Sequence, residues 1–245
     1  MDDSMDTVTV RDEKRWQVLS GSGLKLIAVA AMLIDHVAYI LLRGSNITLL
    51  SLGAHTLTLY TFMRKVGRIS FPIYCFLLVE GFEHTRSFRK YAEKLLLFAL
   101  ISEIPWNLVH NGRFVYSGQN VFFTLFLGLL GLWVLKNLAH DRRKQAAALL
   151  GLLLVSLNLH ADYGAAGFGF ILMMYVLRDK PLPRAAIGSC FLSSTWAAGL
   201  AFIPISLYNG KRGFVDTGVE KYVFYVIYPV HMLILYLIRK ATIGY

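Results

Sequence analysis

Eight stretches of this chain are apolar over roughly the 20-residue length that a membrane-spanning helix needs. They are residues 24–42, 66–82, 95–110, 121–138, 146–159, 163–177, 185–207 and 222–238, separated by short polar turns. A backbone in hydrocarbon must satisfy its own hydrogen bonds, so apolar runs of this length read as helices. The pattern predicts an all-α fold: a polytopic integral membrane helical bundle of about eight transmembrane helices, with a polar intramembrane pocket. Residues 47–62 are moderately apolar but rich in Thr, Ser and Gly, and read as a re-entrant or interfacial piece. The polar start, residues 1–23, reads as a cytoplasmic tail, amphipathic around Trp16 to Leu19, without the form of a cleavable signal. Residues 24–245 then form a single transmembrane domain.

Composition strengthens this reading. Of 245 residues, 56% are hydrophobic and 16% charged, against about 25% charged in soluble domains. The net charge is 25 − 15 = +10. Basic residues sit at run ends, as membrane topology and attraction to anionic lipid require, and they form no separate nucleic-acid-binding domain. A basic pocket for a phosphorylated cosubstrate is the sharper reading. Clusters follow alternate runs: Arg86, Arg89, Lys90 and Lys94; Lys136, Arg142, Arg143 and Lys144; Arg178, Lys180 and Arg184; Arg239 and Lys240. With eight crossings all four lie on one side, which predicts a multi-pass protein of the cytoplasmic (inner) membrane with both termini cytoplasmic. Two basic sets oppose that rule: Arg43 with Arg64, Lys65 and Arg68, and Lys211 and Arg212 with Lys221. They read either as snorkelling interfacial residues or as parts of a site. Cys75 and Cys190 read as packing residues, and no metal or disulfide framework is legible.

Ionisable residues inside the runs carry the chemistry, because an acid near a helix centre costs about 3 kcal/mol in membrane insertion. The first run contains Asp35 and His36. Lys25 lies eleven residues before His36, so at ~100° per residue both fall on one helix face, about 16 Å apart along the axis. That face suits a cosubstrate with an anionic head and a long arm, although Lys25 alone reads equally as a helix-end anchor. Asp35 points roughly 100° away and is expected to pair with an arginine such as Arg68. Glu80 ends the second run. Glu103 and Asn107 share a face around Pro105, as a site or as a structural pair. Asn120 and Asp162 read as helix caps. The sequence Asn209-Gly210-Lys211-Arg212-Gly213 reads as an anion clamp or an exposed turn. Tyr222, Tyr225, Tyr228 and His231 form a stripe at spacings of three on the last run, with Pro229 kinking it.

Several blocks resemble the TraX family, named for a conjugation-operon protein linked to N-terminal acetylation of pilin. They are LKLIAVAAMLIDH at 24–36, GRISFPIYCFLLVEGF at 67–82, LISEIPWNL at 100–108, NVFFTLFLGLL at 120–130, DYG at 162–164, YNGKRG at 208–213 and YPVH at 228–231. Their order is kept across nearly the whole chain after the tail. The family is distantly similar to multi-spanning membrane acyltransferases, which commonly place a basic residue, ten intervening residues and a catalytic histidine in the first helix. Lys25 and His36 have that spacing, with Lys in place of the usual Arg, which supplies charge without a bidentate fork.

The resemblance implies an acyltransferase-like domain over 24–245. It implies a membrane acetyltransferase that takes acetyl-CoA as cosubstrate and modifies an amine or hydroxyl acceptor, such as a peptide N-terminus or a glycan. His36 would be the general base, with Asp35, Glu80 and Glu103 as catalytic carboxylates and one of the two glutamates orienting the imidazole. Lys25, Arg64, Arg68, Lys211 and Arg212 would hold phosphates or the oxyanion, and Asn107, Asn209, Tyr228 and His231 would meet the acceptor. Two rival readings stay open: a proton-coupled transporter using the intramembrane Asp, Glu and His residues, and a non-enzymatic assembly partner of a membrane peptide such as pilin.

Overall fold

The computed structural model describes residues 16–52, 55–191, 193–214 and 218–242. Most of residues 1–23, assigned above to a tail, falls outside them. Helix α1 (Gly21–Leu41) starts where Ser20 accepts the Gly23 N–H at 3.2 Å. Trp16 to Leu19 do not form an amphipathic helix; Leu19 instead pairs with the backbone at Leu207 and Asn209. Residues 47–62 hold a hairpin of β1 (Thr48–Leu52) and β2 (His55–Thr58), then open α2 (Leu59–Gly67) through a Thr58/Thr61 capping box. The second apolar run is therefore split. Its first turn closes α2, and α3 (Ser70–His84) carries the rest.

The next helices follow the apolar pattern closely. They are α4 (Phe88–Asn111), α5 (Val121–Asn137), α6 (Arg142–Asn158) and α7 (Gly164–Val176). Ser87, Asn120 and Asp141 cap α4, α5 and α6 with side-chain oxygens, and Gly112 closes α4 at φ 68°. Glycines bring α5 and α7 close. A Cβ added at Gly131 would lie 2.7 Å from Leu172, and one at Gly167 2.7 Å from Thr124. Helix α3 packs against α1, α5 and α7, at the middle of the core.

The seventh run is not one helix. It contains α8 (Pro181–Phe191), a 3-10 segment (Ser193–Ala201) and the short α9 (Phe202–Ser206). Gly199 faces Ser189, and Gly188 faces Phe202 with no room for a Cβ, so the two halves fold back on one another. The backbone then returns to the start of α1, where the Gly21 and Ser22 N–H groups donate to the carbonyls of Lys211 and Arg212 at 2.8 and 2.9 Å.

This return changes the topology. Helix α10 (Gly218–Thr242) runs parallel to α1: Phe224 lies beside Lys25, and His231 beside His36. Arg239 and Lys240 therefore lie at the end of the bundle opposite Lys25, so this cluster does not share an end with the other three as the alternating pattern predicted. Lys211, Arg212 and Lys221 move the other way. They join the end where α1, α4 and α10 begin and α3, α5 and α7 finish, so they obey the charge rule they seemed to break. That end is called the rim below, and its opposite the far end.

The outer surface is apolar. On α10, Val223, Val226, Val230, Leu233 and Leu237 follow helical spacing and are exposed, whereas Tyr228, Met232 and Leu235 on the other side are buried. Helices α4 and α6 also turn leucines outward, among them Leu97, Leu100, Leu150 and Leu154. Such faces are stable against lipid and not against water. Among the described residues, two segments, Gly21–Leu41 and Tyr222–Thr242, are long and apolar enough to cross a membrane on length and composition; the eight expected spans are not all matched by such helices.

Candidate functional site

A cavity of about 1070 Å³ runs along the inner face of α1 and is lined by Lys25, Met32, Asp35, His36 and Tyr39. Among the described residues, seven Lys and Arg side chains (25, 64, 68, 86, 90, 94 and 212) and three carboxylates (35, 80 and 162) reach its wall. The balance is positive, so the cavity favours anions. Lys25 and His36 share it, as their spacing required, with Lys25 near the rim and His36 about 16 Å deeper.

At the far end three polar pairs form. His36 Nδ1 meets His231 Nε2 at 2.5 Å, with the two ring planes 8° apart. Tyr228 stands edge-on to both rings. Asp35 forms its ion pair with Arg64, not with Arg68. The cause is α2, which turns over α1 so closely that a Cβ on Gly67 would overlap Asp35. Arg64 also stacks on Tyr39 at 5.0 Å. Arg68 donates to the Tyr163 hydroxyl at 3.5 Å, and Tyr163 stacks on Phe71 with centroids 3.6 Å apart.

Asp162 is the far-end acid that the pattern read as a cap. Helix α7 has no side-chain cap, and Asp162 faces the cavity from a turn in which His160 and Tyr163 both take positive φ. Burial pushes its carboxyl up to about 6, against the pull of the Arg68 guanidinium. A lone acid in a turn without basic residues was the available signal.

The rim has a different character. Arg86, Lys90 and Lys94, from the α3–α4 turn and the start of α4, line the cavity with Lys25 and Arg212, yet the first three were read only as topology markers. Lys94 sits over Tyr222 at 4.8 Å and Lys25 over Phe224 at 5.5 Å. In the 208–213 loop, Gly210 and Gly213 take φ of 76° and 84°. The loop's carbonyls bind the start of α1, and Arg212 alone of its two cations lines the cavity. Asn209 accepts from the Lys211 N–H at 2.9 Å and so shapes the turn.

Three further expectations change. Glu103 does not meet His36; its carboxylate accepts from the Asn120 backbone at 3.1 Å and side chain at 2.5 Å, tying α4 to α5. Asn107 donates to the Phe114 carbonyl at 2.8 Å and does not line the cavity. Glu80 does line the cavity, but its nearest ionic neighbour is His84 at 4.0 Å, toward the rim. His36 is thus held by an imidazole and by neither glutamate. The aromatic stripe also splits, because steps of three fall 60° short of a turn. Tyr222 is 44% exposed, whereas Tyr228 and His231 are 4% and 8% exposed.

Outward apolar faces around a cationic inner cavity define a membrane-associated helical protein with an internal polar site. Comparison gives the family: the chain belongs to the TraX family, whose description, TraX protein, matches residues 20–239. It is also 30% identical to a Dichelobacter nodosus protein named "Probable fimbrial assembly protein FimC, serogroup H1", over 86% of this chain and 92% of the relative. No solved structure matches the chain.

Proposed function

We propose that this protein is a multi-pass membrane acetyltransferase, taking acetyl-CoA at the rim and passing the acetyl group to an amine or hydroxyl near His36. The observation that carries the reading is the cavity itself: it joins a ring of Lys and Arg to an imidazole about 16 Å deeper along α1. Lys25, Arg86, Lys90, Lys94 and Arg212 supply charge for phosphates. His36 removes the acceptor proton as nitrogen or oxygen attacks the thioester carbon. The C–S bond breaks, and the imidazolium returns its proton to the departing thiolate. A general base of this kind contributes about 10²–10⁴-fold. Arg64 and Arg68 stand where an oxyanion would gain from fixed positive charge.

The rim lies in the cytoplasm in this reading, since most basic clusters sit there. The apolar outer faces of α4, α6 and α10 support a polytopic arrangement, with 181–206 dipping in from the rim and returning to it. The relative's name favours a second reading, an assembly role on a pilin-like peptide, which acetylation of that peptide would include. Membranes containing the protein, incubated with radiolabelled acetyl-CoA, test both. Label in a peptide or glycan that requires the protein supports the transferase. Assembly of fimbriae that proceeds without any label leaves the assembly role and removes the transferase.

A further inference from the structure

Helix carbonyls and one neighbouring imidazole fix where several histidines of this protein carry their protons. His84 and His110 each direct Nδ1 at the carbonyl four residues earlier on their own helix, at 2.8 Å. His231 does the same, with Nδ1 2.5 Å from the Ile227 carbonyl. A carbonyl only accepts, so Nδ1 of a neutral His231 carries the hydrogen and Nε2 holds a lone pair. His36 is the exception on its helix. Its Nδ1 meets no carbonyl and faces His231 Nε2 at 2.5 Å. One proton must lie between these nitrogens. With His231 Nε2 accepting, His36 Nδ1 donates, and His36 Nε2 is left as a lone pair. Among the described residues Nε2 of His36 has no hydrogen-bond partner, and the residue lines the cavity.

We infer that His231 is a positioning residue that holds His36 in the tautomer whose basic Nε2 faces the cavity, with the Ile227 carbonyl anchoring the pair. This rests on the transferase reading above and replaces the expected acceptor contact of His231. Proton bookkeeping closes. When Nε2 takes the acceptor proton, the positive charge is shared with His231 through the Nδ1–Nε2 bond, and the Ile227 carbonyl stabilises it. The proton then leaves from Nε2 to the thiolate. A hydrogen bond to the ring nitrogen that does no chemistry typically fixes the tautomer and orientation of a functional histidine.

Two readouts separate this inference from the function it serves. In ¹⁵N-histidine-labelled protein in nanodiscs, the signals of His36 are assigned among the seven histidines by their loss in His36→Gln. The expected spectrum shows His36 protonated at Nδ1 and bare at Nε2, with both tautomers populated in His231→Phe. Identical His36 tautomers in the two proteins overturn the inference, whatever the activity. In acetyl transfer, His231→Phe lowers kcat about 10²-fold with KM for acetyl-CoA unchanged, and His231→Asn, whose amide oxygen still accepts, recovers part of the rate. A loss carried by KM, or equal loss in the Asn and Phe variants, also overturns it. If wild-type protein shows the expected tautomer but transfers no acetyl group, the positioning geometry stands and the transferase reading fails.

Discussion

The two ends of the cavity treat charge differently. At the far end three pairs are specified: Asp35 with Arg64, Arg68 with Tyr163, and His36 with His231. At the rim, Lys25, Arg86, Lys90, Lys94 and Arg212 crowd one mouth, with Glu80 as the carboxylate on that part of the wall among the described residues. Buried charges need exact partners because an unpaired one costs several kcal/mol. Rim charges act together on a mobile anion, so each is worth little alone. In the proposed function the far end sets geometry and the rim captures the anionic cosubstrate.

In the proposed arrangement the two ends lie on opposite faces of the membrane. Alkaline phosphatase fused after Tyr245 should be active and a fusion at Lys180 inactive, because α10 ends opposite the rim. Equal activity at both sites would put the ends on one face. Within the far end, Arg64→Ala removes the ion-pair partner of the part-buried Asp35 and should cost about 1–3 kcal/mol in detergent unfolding. Adding Asp35→Asn should restore part of the loss, since the two effects are coupled.

Asp162 gives a smaller, pH-dependent effect. Its folded value of about 6 exceeds the ordinary 3.8, so below pH 6 the folded protein binds a proton that the unfolded chain does not. Stability should therefore rise on acidification from pH 6 toward 4, by up to about 1.4 kcal/mol per pH unit from this group. Asp162→Asn should lose that slope in thermal melts. The rim gives the smallest effect. Lys94→Ala should raise the KM for acetyl-CoA only a few-fold, more at low salt, and leave kcat unchanged. A large kcat effect would show that the rim shares the far end's precision.

The shared face of Lys25 and His36 was legible because helix geometry converts an eleven-residue spacing directly into a direction. The partners on other elements were not. Whether Asp35 meets Arg64 or Arg68 depends on where α2 stops, and the hydropathy of 66–82 runs straight through that break at Gly67. The topology failed at one place. Run 185–207 has the length of a crossing, but Gly188 and Gly199 let it fold back on itself. One lost crossing carried Lys211 and Arg212 to the rim and the end of α10 to the far face. His231 was noticed for its depth in the last helix, and its partner became visible only when α1 and α10 lay parallel.

The most direct measurement compares wild-type and His36→Gln proteins in nanodiscs for two quantities, acetyl-CoA affinity and single-turnover acetyl transfer. A general-base role for His36 predicts equal affinity, since the rim is untouched, and transfer reduced at least about 100-fold. Equal transfer rates in the two proteins would contradict it.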